Sequence, residues 1–293
     1  MTTLRLLARP PFNFRSVVDS HGWVQLAPFR FDADADSLFY TDQLSNGRVL
    51  DYRITPTTGG IQVDVDGRLG KAETAEVEQK VTWMVGLDQD FSTFYKRAHG
   101  EPKLRKARRL AHGRVLRSPT FFEDVLKTIL TTNTLWAATR RMNANLVALL
   151  GSASGPGPAA FPRPEQVAAS SPAALRRQVR VGYRAQAIHE LGVRTASGGF
   201  DIESYKTSTL PTLELRKELL KIRGVGPYAA ANLLMILGRA DFIPIDTYAL
   251  KMVSHEWHRG RKVTPKHVER AFDRWGPYKG LAFWFWDWTY TGG

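Results

Sequence analysis

The stretch "LLKIRGVGPYAAANLLMILGRADFIPIDTYAL", residues 219–250, decides the fold. It reads as a helix that stops at two glycines and a proline, resumes, and ends in a short extended run before an aspartate. Upstream, Thr212 is placed to cap a first helix whose apolar stripe runs through Leu215, Leu219 and Ile222. Gly224 falls where a left-handed residue commonly closes a helix. Pro227 suits the first turn of a second helix, because the N–H it lacks would have had no partner there. The spacing predicts two helices joined by Gly-Val-Gly in a tight hairpin over 213–237. At the tip, backbone N–H groups point out of a helix N-terminus and glycine lets a phosphate come close. Such a tip grips a nucleic-acid backbone without reading bases. A corner that merely packs is the competing reading of Gly-Val-Gly alone.

Composition supports a polyanionic partner. The 293 residues carry 41 Lys+Arg against 28 Asp+Glu, a net charge of +13, with a pI near 10.1. Residues 1–70 hold seven basic and eight acidic side chains, so the excess lies entirely downstream. That imbalance favours nucleic acid or an acidic surface. The absence of cysteine excludes disulfides, thiolate zinc sites and a cysteine-ligated iron–sulfur cluster. The histidine pair His255 and His258 lacks a third ligand and reads as surface histidine. No apolar run reaches 18 residues, and "MTTLRLLARPPF" is too short in its apolar part for a signal peptide. The expectation is a cytoplasmic protein with no membrane partner, nucleoid-associated if bacterial.

Two kinds of periodicity divide the chain. From 22 to 67 the segments "GWVQLAPFRF", "GRVLDYRIT" and "GIQVDVDG" read as strands, and Ile61, Val63 and Val65 alternate with polar residues as in a half-buried antiparallel sheet. "SNG" at 45–47 and "TPTTGG" at 55–60 supply turns. Helical spacing begins near Glu73. "SPTFFEDVLKTIL" offers Ser118 as N-cap and Pro119 as the first helical residue. The Gly/Pro-rich 151–164 reads as a connector. The class is α+β: an N-terminal antiparallel β-sheet domain, 1–98, followed by an all-helical two-part domain, 99–293, containing the hairpin.

Both hairpin helices, the Gly/Pro tip, the extended "FIPI" and Asp246 together resemble the helix-hairpin-helix, Gly/Pro…Asp signature of the DNA glycosylase superfamily. "GYRAQAI" at 182–188 and "WGPYKGLA" at 275–282 are similar to segments of the 8-oxoguanine glycosylases. The β-rich N-terminus resembles the extra domain that these share with bacterial alkyladenine (3-methyladenine II) glycosylases. The resemblance implies base excision repair by base flipping, with double-stranded DNA containing a damaged base as partner and a monomeric enzyme.

It also implies roles for individual residues. Asp246 would be the catalytic carboxylate. Cleaving an N-glycosidic bond builds positive charge on the deoxyribose, which a nearby carboxylate stabilises. An ordinary N-cap aspartate is the other reading of Asp246, and the two are compatible, because a helix N-terminus favours a charged carboxylate. Superfamily members that also cleave the backbone carry a lysine two residues after the second hairpin glycine, as Schiff-base nucleophile. Here Tyr228 stands there, as an aromatic does in the alkyladenine enzymes, so the resemblance is to a monofunctional enzyme using water. Tyr228, Phe283, Trp286 and Trp288 would line the base pocket. Phe283 replaces a base-reading glutamine of the oxoguanine enzymes, and Asp287 replaces a stacking residue. An aromatic core is the alternative for "FWFWDW".

Gly224, Val225, Gly226 and Tyr248 would contact the DNA backbone. Asn133 would fill the space left by the flipped base, and Tyr183 with Arg184 would meet the orphaned partner base. Lys103, Arg105, Lys106, Arg108 and Arg109 offer further phosphate contacts or a solvated face. No cofactor is required; the carbonyls of Leu220, Ile222 and Val225 would hold a structural K+ or Na+. Two alternatives stay open, an oxidised-purine glycosylase and a non-catalytic DNA-binding module.

Overall fold

The computed structural model describes residues 1–153, 155 and 157–290, so Ser154 and Pro156 of the expected 151–164 connector lie outside the described residues. Five antiparallel strands open the chain: β1 (Thr2–Leu7), β2 (Arg30–Asp32), β3 (Ser37–Gln43), β4 (Val49–Thr57) and β5 (Gly60–Val65). Their order in the sheet is β1-β5-β4-β3-β2. Ile61, Val63 and Val65 face the core, as their alternation predicts. Three expectations are corrected. β1, unread in the sequence, pairs Thr2 to Leu7 against Val65 to Gly60. Residues Gly22–Gln25 form a 3-10 turn rather than a strand. β4 continues through Pro56 to Thr57, so the turn into β5 is only residues 58 and 59, with Gly59 at φ +78°.

Contacts divide the chain into two units. The first comprises residues 1–89, 114–208 and 222–224; the second comprises 90–113, 209–221 and 225–293. No helix among the described residues is long and apolar enough to cross a membrane.

In the first unit the helix Phe121–Thr131 is buried along nearly its whole length, polar residues included. It starts later than predicted. Thr120 is the N-cap, its hydroxyl accepting from the Glu123 N–H at 3.3 Å, while Ser118 instead donates its N–H to Asp124 at 2.9 Å. Burying Glu123, Asp124 and Lys127 requires that each be paired. Lys127 meets Glu123 at 2.6 Å and lies 4.6 Å over the Phe29 ring. The Tyr40 hydroxyl donates to Glu123 (2.6 Å), and the Trp23 indole donates to Asp124 (2.8 Å). The sheet side of the unit and this helix are thereby locked in one register.

Burial outweighs hydrogen bonding for two groups, Asp124 and His21, the latter bonded to the Leu116 carbonyl at 2.6 Å. It pushes the Asp124 carboxyl up to about 7 against the hydrogen bonds from Ser118 and Trp23. It brings the His21 imidazole down to about 4, with the Lys127 charge adding to the effect.

Candidate functional site

The hairpin forms as read, with adjusted ends. Its first helix is Thr212–Leu220 and its second Pro227–Ile236, with Pro227 in the first turn. Pro211 rather than Thr212 is the N-cap; the Thr212 hydroxyl reaches Asp241 at 3.0 Å. The first helix closes on Lys221 in a right-handed conformation, three residues before Gly224. Gly224 is left-handed, φ +87°, and a Cβ there would stand 3.1 Å from the Ala187 Cβ, so both backbone and space call for glycine. Gly226 differs. Its φ is −94° and nothing lies within 4 Å of where a Cβ would stand, so the chain's own packing does not demand glycine. Both glycines are exposed at the mouth of the Pro227–Ile236 helix, where N–H groups suit an anion.

In the second unit, Asp246 is the N-cap of the helix Thr247–His258. Its backbone is extended and its Oδ1 accepts from the Ala249 N–H at 2.8 Å. The bond uses one carboxylate oxygen and leaves the exposed side chain with a second acceptor. Tyr228 stands half-buried in the first turn of the second hairpin helix. Burial and then the Asp246 charge raise its phenol above the ordinary tyrosine range, so the ring stays neutral beside the carboxylate. Asn232 bonds the Tyr228 carbonyl at 3.1 Å. Tyr248, next but one after Asp246, is exposed and its ring lies 5.6 Å from Tyr290.

The C-terminal aromatics are divided in role. Phe283 and Trp286 are each 7% exposed, gathered edge-on around the fully buried Phe272 at 5.6 and 5.3 Å. They are core, which corrects the expectation that both line an open pocket: their ring area is already covered by neighbouring rings. Trp288 is half-buried and donates its indole N–H to the Phe283 carbonyl at 3.1 Å. Asp287 pairs with Lys106 at 3.2 Å, and its carbonyl accepts from Lys103 at 3.0 Å. Lys103 also bridges Glu256 at 2.5 Å. These two lysines hold the C-terminal segment, whereas Arg105, Arg108 and Arg109 are exposed.

In the first unit a tip follows the buried helix. Asn133 takes a left-handed φ of +46° and donates to the Tyr183 hydroxyl at 3.3 Å. Tyr183 is 62% exposed. Arg184 is only 6% exposed. It donates to the Thr132 carbonyl and hydroxyl and to the Val181 carbonyl, and its guanidinium lies 4.6 Å from the Tyr183 ring centroid. It is corrected from a partner-base contact to a brace, because its donors are spent on the loop that carries Asn133.

The sequence matches the HhH-GPD superfamily of base excision DNA repair proteins over residues 126–277, just over half of the chain. The chain belongs to the HhH-GPD superfamily. Among solved structures, 3-methyladenine DNA-glycosylase from Archaeoglobus fulgidus is similar over 97% of each chain, with a TM-score of 0.74 and 21% identity. The 8-oxoguanine glycosylase/lyase of Clostridium acetobutylicum, without ligand, gives 0.73 at 17% identity over 97% of this chain and 95% of that one. The same enzyme in complex with double-stranded DNA containing cytosine opposite 8-oxoG gives 0.69 at 18% identity, covering 94% and 91%. At these identities the likeness is one of fold. No curated protein sequence matches.

Two residues of this HhH-GPD chain escape the sequence reading. Thr132 receives both Tyr183 and Arg184, yet a lone threonine between a helix and Asn133 carries no periodic signal. Leu135, 80% exposed at the start of the helix Trp136–Leu150, looks in sequence like the first residue of an apolar stripe.

Proposed function

We propose that the chain is a monofunctional DNA N-glycosylase that flips damaged purines out of duplex DNA and releases them by hydrolysis, with N-alkylated purines such as 3-methyladenine as substrates. The observation that carries this reading is the pair Asp246 and Tyr228: an exposed carboxylate fixed at a helix N-cap, coupled to a neutral aromatic where a lyase needs an amine.

Bond cleavage leaves the electron pair on the departing base and cationic character on the sugar. The Asp246 oxygen not used in capping faces that developing charge, and water completes the reaction at the sugar carbon, giving up a proton. Tyr228 and Trp288 offer electron-rich ring faces to a cationic base. Such a base also leaves without a strong general acid, because its charge already weakens the glycosidic bond. Gly224, Val225, Gly226 and Tyr248 hold phosphates through backbone N–H groups and a phenol. Asn133 fills the gap in the stack and Tyr183 wedges beside it against the orphaned partner base, with Arg184 holding their loop. Double-stranded DNA as partner is supported by the DNA complex of the Clostridium enzyme. The carbonyls of Leu220, Ile222 and Val225 lie along a turn reversed at Gly224, and hard oxygen donors of this kind suit a structural K+ or Na+. The enzyme acts as a monomer in the cytoplasm.

An oxidised-purine glycosylase is the second reading, favoured by "GYRA" and "WGPYKGLA" and by the fold of the Clostridium enzyme. Tyr228 and the apolar, buried Phe283 oppose it. Incubation with duplexes bearing single lesions, followed by identification of the released base and borohydride trapping, tests the proposal. Free alkylpurine, an intact abasic strand and no trapped adduct are expected. A trapped covalent adduct formed in step with turnover contradicts it.

A further inference from the structure

Between Asp124 and Glu190 the sequence contains one carboxylate, Glu165, among eight basic residues. Glu165 is 3.6 Å from Arg163 and so is already engaged. Five of the basic residues, Arg140, Arg141, Arg176, Arg177 and Arg180, are exposed in the first unit. Among the described residues none of the five makes an ion pair, side-chain hydrogen bond or ring contact. The outer helix of the hairpin shows the ordinary alternative: Lys217 pairs with Glu214 and Lys221 with Glu218, each three residues apart.

The five come from two elements that are fastened together. Arg140 and Arg141 lie on the helix Trp136–Leu150; Arg176 and Arg177 lie on a π-helical turn, Leu175–Val179. Asn145, one helical turn beyond Arg141, donates to the Val179 carbonyl at 3.2 Å. That bond brings the Arg141 face beside Arg180, which closes the π turn in a left-handed conformation, φ +64°. Five exposed guanidinium groups without an ion pair repel one another, and an anion would neutralise them. All five are arginine and none is lysine, and the planar guanidinium fork matches phosphate oxygens. Gly182 and Tyr183 follow Arg180 directly after Val181, so the face is continuous in the chain with the exposed tyrosine.

We infer that this arginine face is a phosphate track for the strand opposite the lesion, separate from the hairpin that holds the damaged strand. The inference rests on the proposed reading of the protein as acting on duplex DNA, with Tyr183 meeting the orphaned base. The face adds electrostatic affinity without reading sequence. It makes the protein prefer duplex over single-stranded DNA.

The test compares the wild-type protein with R140Q/R141Q/R176Q/R177Q/R180G, the glycine chosen because the left-handed position accepts it. Binding is measured across a salt series to an undamaged duplex and to one of its strands alone. Each lost phosphate contact flattens the slope of log K against log salt by about 0.9, so the variant should be shallower by about 3 or more on duplex and weaker by roughly tenfold at physiological salt. Its single-strand affinity should stay within about twofold of wild type. Equal slopes on duplex, or equal losses on duplex and single strand, overturn the inference.

A second measurement needs no variant. Neutral methylphosphonate linkages opposite an abasic-site analogue should weaken the wild-type protein, and binding unaffected by them overturns the assignment to that strand. The undamaged-duplex comparison involves no base release. A protein that excises nothing, contrary to the proposed function, can therefore still pass or fail it.

Discussion

Replacing Asp246 by asparagine separates its two roles, because the structure assigns the cap to one oxygen. Oδ1 accepts from the Ala249 N–H at 2.8 Å, and an asparagine amide oxygen accepts equally well at an N-cap. Folding stability should therefore be nearly unchanged in Asp246→Asn. Asp246→Ala loses the cap at a cost of about 1 kcal/mol, lowering Tm by roughly 2 °C in a chain of this length. The charge is another matter. A carboxylate about 4 Å from a developing sugar cation, at an effective dielectric near 20, contributes roughly 4 kcal/mol, about a thousandfold in rate. Asp246 is exposed in the free protein, so water screens part of this until DNA covers it, and about a hundredfold is the smallest loss consistent with the mechanism. Single-turnover base release from a methylated duplex, with duplex affinity and Tm measured in parallel, reads all three quantities. The expected outcome is rate lost by a hundredfold or more, with affinity and Tm kept. A loss clearly smaller than about a hundredfold, or a loss matched by lost binding, refutes the catalytic role.

Gly226→Ala tests the hairpin tip: its φ of −94° and the open space around a Cβ predict unchanged Tm, while a methyl group facing the phosphate should weaken duplex binding at least several-fold. Unchanged affinity would remove Gly226 from the backbone contact. Half-buried His21 and fully buried Asp124 set pH dependences of opposite signs. Asp124, raised from 3.8 to about 7, contributes stability that is full below about pH 4 and lost as pH rises through 7. His21, lowered from 6.5 to about 4, contributes stability present above pH 6.5 and lost as pH falls through 4. In wild type the two largely cancel between pH 4 and 6.5. Asp124→Asn should make Tm fall with acidification across that window, and His21→Gln should make it fall as pH rises from 4 to 7. Thermal melts across pH check both, and identical profiles for the two variants would contradict the assignment.

Much of this site was legible because its signals are backbone signals. Pro227, Gly224 and Asp246 announce a helix start, a left-handed turn and an N-cap whatever surrounds them, and each is found so in the structure. Ile61, Val63 and Val65 likewise reveal a half-buried strand. What depends on tertiary contact was not legible. β1 alternates weakly through Thr2, Leu4 and Leu6, and becomes a strand only because β5 offers an edge. Ser118 has the side chain of a cap, but the Asp124 carboxylate captures its N–H and the helix begins at Phe121. Trp286 and Trp288 are two residues apart in one aromatic run, and only the arrangement around Phe272 puts one in the core and leaves the other half-buried. Arg184 resembles any exposed arginine until Thr132 is seen to hold it.

The measurement that tests the central claim most directly is the single-turnover rate of base release from matched duplexes containing 3-methyladenine or 8-oxoguanine. Cation–π attraction contributes about 0.5–2 kcal/mol to a cationic purine beside Tyr228 and Trp288. Neutral 8-oxoguanine gains none of it, and with no glutamine at position 283 its polar edge loses a partner, at about 1–3 kcal/mol for each group left unpaired. The account predicts that 3-methyladenine is released at least tenfold faster, and that Tyr228→Ala narrows the ratio. Faster release of 8-oxoguanine by the unmodified protein would contradict it.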